Sequence, residues 1–168
     1  MAKIEVFFGD QEVINLTASV GVNGVNLKDD VMVVQAMLKY ALAERSHFRK
    51  LKFPAVTGAM NDETKILIKE YQRFLRREDK NDVAVDGVID RAIGEKPFGR
   101  RGLWTILCLN SHVLVARLLS GGDGNEIQDL CRRYPQLHSV LDNVPVGSLN
   151  LSLEPSVQRV GSLNLGLE

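Results

Sequence analysis

The stretch Val56 to Phe74, VTGAMNDETKILIKEYQRF, reads as a turn that feeds a helix. Gly58 opens backbone angles closed to other residues, and Asn61 is among the side chains most tolerant of a left-handed backbone. Asp62 is placed to cap the helix, and Glu63 suits its positive end. Leu67, Tyr71, Phe74 and Leu75 then recur at helical spacing and give one apolar face. Downstream, Val85-Asp86-Gly87-Val88-Ile89-Asp90 repeats the turn. One pattern, a Val, a small polar residue, a Gly, two apolar residues and a turn residue, therefore precedes each of two helices.

Outward from these turns, Lys28 to Glu44 is expected to be a first helix. Asp29 or Asp30 would cap it, and Val31, Val34, Leu38, Ala41 and Leu42 would form its buried side. The second helix spans Asp62 to Arg77. A third, Leu103 to Leu119, is apolar nearly all round (Trp104, Ile106, Leu107, Leu109, Val113, Leu114, Val115, Leu118), which predicts the central, most buried helix. A fourth carries Ile127, Leu130, Cys131 and Tyr134, and Pro135 starts a further turn. Before all of these, Ile4, Val6 and Phe8 alternate, Gly9-Asp10 can turn, and Val13 to Leu16 returns, predicting a β-hairpin. The glycine-containing segment TASVGVNGVN, from Thr17, reads as a loop or short strand.

This order of motifs resembles the peptidoglycan-binding-domain-like family, a three-helix module. Asp30, Val31, Val34, Gln35 and Leu38 match its first helix. Thr57, Gly58, Asn61 and Thr64 stand at its first turn, with Thr57 for the usual Asp and Asn61 for the second Gly. Tyr71-Gln72 stands for the Phe-Gln that ends the second helix. Asp86 and Gly87 match the second turn, where Asp90 and Ile93 replace Gly and Thr. Trp104 and Leu107 match the third helix. The likeness covers about Lys28 to Ser120 and departs from the family in the insertion from Arg91 to Gly102. It implies a three-helix core (28–120); the residue patterns outside that likeness add an N-terminal β-hairpin and linker (1–27), accessory short helices (121–145) and an extended tail able to form strand (146–168), a mainly α fold in all. It further implies a non-catalytic module that binds cell-wall glycopeptide beside its turns, through Thr57, Gly58, Asn61, Thr64, Gln72, Asp86 and Gly87.

The tail is a tandem repeat. Val146 to Glu154 reads VGSLNLSLE and Val160 to Glu168 reads VGSLNLGLE, a period of 14 residues in which only Ser152 and Gly166 differ. In an extended chain Leu149, Leu151 and Leu153 share one side, as do Leu163, Leu165 and Leu167. Val146, Gly147, Ser148 and Val160, Gly161, Ser162 open the two copies. Such a strip suits strand addition to a protein partner, where duplication raises effective concentration, or pairing of the two copies with each other through a turn at Glu154 to Arg159. The Val-Gly-Ser-Leu core also resembles the terminal peptides that load cargo into encapsulin shells. A structural or adaptor component of a phage or contractile injection particle is a second reading.

Composition narrows the classes. The chain has 168 residues, 45% hydrophobic and 25% charged, with a formal net charge of +0. That balance suits one domain with appendages and argues against nucleic acid or anionic membrane as partners. No apolar run approaches the ~18 residues of a membrane span. MAKIEVFFGDQ does not read as a signal peptide, since Glu5 interrupts its apolar run, so synthesis in the cytoplasm is expected. A wall binder would then reach its target by lysis or inside a particle. Cys108 and Cys131 have no metal spacing and read as reduced core residues. His47, His112 and His138 form no metal or catalytic motif. Glu63, Glu70, Asp86 and Asp90 could supply a carboxylate pair for glycoside hydrolysis, but turn and helix-end roles account for them more simply. Tyr71 and Trp104 are aromatic enough to stack on sugar, and their helix faces assign both to the core. No catalytic residue, metal or cofactor is expected.

Overall fold

The computed structural model describes residues 1–7, 11–94, 102–121 and 125–142. Its fold is mixed α/β, more than the mainly α body expected. The strands are β1 (Ala2–Phe7), β2 (Gln11–Asn15), β3 (Val20–Gly21), β4 (Val88–Ile89) and β5 (Leu141–Asp142). The helices are α1 (Lys28–Leu42), α2 (Asp62–Arg77), α3 (Thr105–Leu119) and α4 (Glu126–Arg133), with 3-10 turns at Ser46–Phe48 and Pro135–Ser139. β1 and β2 form the expected hairpin, pairing Lys3 with Asn15 through Phe7 with Gln11. The sequence pattern did not reveal β5, which adds to the other side of β1 in parallel, Ala2 beside Leu141. β3 and β4 make a separate two-stranded ribbon, with Val20 opposite Ile89. The tail, with both copies of its repeat, lies outside the described residues.

Two helix starts differ from expectation. Asn61, not Asp62, caps α2, its Oδ1 accepting from the Thr64 N–H at 2.9 Å and the Thr64 hydroxyl at 2.7 Å. Both residues are good caps, and the one outside the helical backbone takes the role. α1 begins after Leu27 without a side-chain cap. Asp30 instead accepts from the backbone N–H groups of Thr17 and Ala18 at 3.0 and 2.9 Å, tying the segment after the hairpin to the helix. Asp29 and Asp30 still suit the positive end of that helix.

The central helix is α1, not α3. Eleven of its 15 residues are buried, against seven of 15 in α3, whose C-terminal Val115, Leu118 and Leu119 are exposed. α1 and α3 pack together and both reach the hairpin sheet, while α2 packs on α1 and on the β3–β4 ribbon. Tyr71, Phe48, Met37, Leu67 and Ile106 are fully buried side chains of one apolar core. Each such aliphatic side chain contributes about 1.5–3 kcal/mol before ordering costs. Ile127, Leu130 and Cys131 of α4 and Leu137 after it belong to the same core.

Two buried asparagines tie the hairpin to the rest of the fold, one through α3 and one through the segment that follows β4. Asn110 of α3 accepts from the Ile14 N–H at 2.8 Å and donates to the Ile14 carbonyl at 2.9 Å. Asn15 holds Ala92 in the same two-way manner, accepting its N–H at 3.0 Å and donating to its carbonyl at 2.9 Å. Burial makes each amide's pairing obligatory, so the sheet and the helices are fixed in register with each other.

Candidate functional site

Each glycine turn is gripped by a glutamine from the helix before it. Gln35 of α1 accepts from the N–H groups of Thr57 and Gly58, both at 3.0 Å, and donates to the Ala59 carbonyl at 2.9 Å and the Thr64 hydroxyl at 3.0 Å. Gln72 of α2 accepts from the Gly87 N–H at 2.7 Å and donates to Asp86 Oδ1 at 3.0 Å and the Val88 carbonyl at 2.7 Å. Both glutamines are fully buried. Gly58 and Gly87 have φ of 78° and 79°, the left-handed backbone that the sequence pattern implied.

The seven residues proposed from the turns fall into two clusters, Thr57, Gly58, Asn61 and Thr64 with Gln35, and Gln72, Asp86 and Gly87. Thr64 and Gln72 are fully buried, with their side chains bonded within the turns. Asn61 caps α2, and the Thr57 hydroxyl accepts from the Ala59 N–H. Thr57 and Asp86 are the exposed members.

Asp86 alone of the seven lines a cleft of about 370 Å³ between the second turn and the start of α3. Arg76 from α2, Asp82 and Asp90 flanking the turn, and Leu103 and Trp104 from the approach to α3 complete its wall. Trp104 is half-buried, and its indole N–H donates to the Gly94 carbonyl at 3.1 Å, which fixes the ring plane. Tyr71 is fully buried in the core as expected, and Trp104 packs against the core while staying half exposed. Trp104 stands just before the first turn of α3, with an extended backbone. Sequence reading singled out Asp86, Asp90 and Trp104 but not Arg76, Asp82 or Leu103. The four-residue spacing of Asp82, Asp86 and Asp90 was the available signal. Ionised carboxylates accept hydrogen bonds only, so this wall suits a ligand rich in hydroxyl, amide N–H or ammonium donors, with one guanidinium for an acceptor. The indole offers an apolar face for a ring.

Glu63, Glu70 and His112, also singled out in the sequence, have structural partners. Glu63 pairs with Lys52 and Glu70 with Arg73. His112 of α3 bridges two elements: Nδ1 lies 3.0 Å from the Tyr71 hydroxyl and Nε2 lies 3.0 Å from Asp79 Oδ2. Burial and the nearby Arg45 hold its pKa below the ordinary value, against the opposing pull of Asp79. The neutral ring satisfies both neighbours, accepting from Tyr71 and donating to Asp79. Cys108 and Cys131 are buried free thiols, and burial pushes both up to about 11. A thiol in that state is a poor nucleophile at neutral pH. Among the described residues, no group of three or more His, Cys, Asp or Glu side chains is placed to hold a metal ion, and no helix is long and apolar enough to cross a membrane.

Comparison with family models, curated proteins and solved structures finds no match to this chain.

Proposed function

We propose that the chain is a non-catalytic binding module of the peptidoglycan-binding-like kind, holding wall glycopeptide in the cleft beside its second turn. The observation that carries this reading is the cleft itself, in which Trp104, Asp82, Asp86, Asp90 and Arg76 meet where the family resemblance puts the groove. A glycopeptide offers what that wall accepts: sugar rings with an apolar face, and hydroxyl, amide and amino donors. In the same proposal the tandem tail docks the module on a protein partner through its Leu-x-Leu strips.

Co-sedimentation with purified sacculi tests the reading, with the protein alone as the control that separates wall binding from self-association. The wild-type protein is expected in the pellet only when sacculi are present. Trp104→Ala should weaken binding about tenfold, the cost of losing a central aromatic contact of ~1.4 kcal/mol. A folded wild-type protein that stays in the supernatant overturns the proposal.

A further inference from the structure

The charge of this neutral chain is unevenly distributed. Between Arg45 and Lys80 stand ten Lys or Arg against five Asp or Glu, a net of +5, and the rest of the chain carries eleven against 16, a net of −5. The fold lays much of the positive part along the outside of α2. Ile66, Lys69 and Arg73 follow one another at helical spacing, all exposed, and Ile66 is 56% exposed although it is apolar. Arg73 pairs with Glu70 of its own helix. The His47 ring packs beside Phe74, which brings the basic 45–52 segment alongside the same helix.

A groove of about 550 Å³ elsewhere on the molecule has the opposite character. Val6, Leu114 and Ile127 supply its apolar part, and Glu12 and Glu126 its charge. Val6 is 62% exposed although it is apolar. It stands opposite Glu12 in the strand register. No cation among the described residues pairs with either glutamate, and the connecting residues 8–10 and 122–124 contain no Lys or Arg. Burial first, and then the charge of Glu12, raise the pKa of Glu126, so an incoming cation would relieve an existing cost.

We propose that the Ile66–Lys69–Arg73 face of α2 docks into the Glu12–Glu126 groove of a second copy of this chain. An exposed apolar side chain followed by two cations meets an apolar groove with two anions, so hydrophobic contact and charge agree on one partner. The two surfaces lie on different sides of α3. His112 faces α2, whereas Leu114, two residues on and about 200° around a helix of 3.6 residues per turn, lines the groove. A contact between two different surfaces is heterologous, so copies add head to tail and form an open chain or a ring.

Light scattering across a concentration series at low salt tests this, using the full chain. The apparent mass should rise with concentration and return to the monomer value near ~1 M salt, where screening reaches about 3 Å. Lys69→Glu with Arg73→Glu should abolish association, as should Glu12→Lys with Glu126→Lys. An equimolar mixture of those two variants should restore it, because each then offers the surface that the other lacks. Circular dichroism confirms that each variant is folded. A wild-type protein that stays monomeric at low salt overturns the proposal. So does association that survives both charge reversals, which would assign it to another surface, the tail repeats included. A mixture of folded variants that stays monomeric overturns it as well.

Discussion

The two glycine turns are built alike and lead to different things. At both, a buried glutamine takes the N–H of a left-handed glycine and returns its amide to a nearby backbone carbonyl. After the first turn the chain needs only three residues to pass from Gly58 to the cap Asn61, and α2 begins at once. After the second it forms β4, passes through the insertion and starts α3 at Thr105, with Trp104 in place of a side-chain cap. The clamp sets the turn; the length of chain behind it sets whether a cleft can open. This is why the candidate site lies beside Gly87, although the first turn carries more of the residues that the family likeness pointed to.

The comparison is broken most sharply at the clamps. Gln35→Ala removes four hydrogen bonds, two buried and two partly buried, and leaves two backbone N–H groups without the acceptor they have, so a loss of about 3–4 kcal/mol is expected in urea unfolding. Gln72→Ala removes three bonds and should cost about 2–3 kcal/mol. Equal losses would show that the extra bond to Thr64 adds nothing. The glycines come next. Gly58→Ala and Gly87→Ala both place a side chain in the left-handed region, at about 1–2 kcal/mol. The added Cβ meets the backbone oxygen of Lys28 at 2.5 Å in the first case and a Val22 methyl at 3.2 Å in the second. A methyl can move and a helix carbonyl cannot, so Gly58→Ala should be the more destabilising of the two in thermal unfolding.

The smallest effect belongs to the second half alone, where His112 of α3 holds Asp79, just before the second turn. Its folded pKa is below the unfolded value, so between the two the unfolded chain binds more protons. The stability this gives is complete above the ordinary histidine pKa of about 6.5 and falls as the pH drops through the window beneath it. Urea midpoints measured from pH 8 to pH 5 should show the fall, and His112→Gln should flatten it. An unchanged slope in that variant would place the titration elsewhere.

Local chemistry made the turns and helices legible. Gly58 and Gly87 sit in a pattern that only a left-handed turn explains well, and α2 has the predicted bounds because Asn61 and the Leu67-Tyr71-Phe74 face mark them. The misreadings arise where several residues of one chemical type compete or where distant chain decides. Asn61 and Asp62 are both good caps, so their types could not say which acts. Asp30 turns back to Thr17 and Ala18, a contact across the chain that helix-start rules do not contain. The apolar surround of α3 implied burial, yet no described element covers Leu118 and Leu119 at its C-terminal end. β5 is two residues long and exists by pairing with β1, so it has no period of its own to read. Arg76, Asp82 and Leu103 become neighbours only when α2, the second turn and the approach to α3 are folded together.

Asn110 has a further consequence. Its side chain answers both polar groups of Ile14, as a neighbouring strand would, although 96 positions separate the two residues. The outer edge of β2 is thereby occupied at that point by α3. The Ile14 amide proton consequently reports something other than hairpin pairing. Its exchange with solvent requires α3 to withdraw from β2, while amides bonded across the β1–β2 ladder exchange when the strands part. A slow Ile14 amide beside faster ladder amides would mean that the hairpin frays while its helix stays docked, making one proton a clock for the joint between the sheet and the helical body.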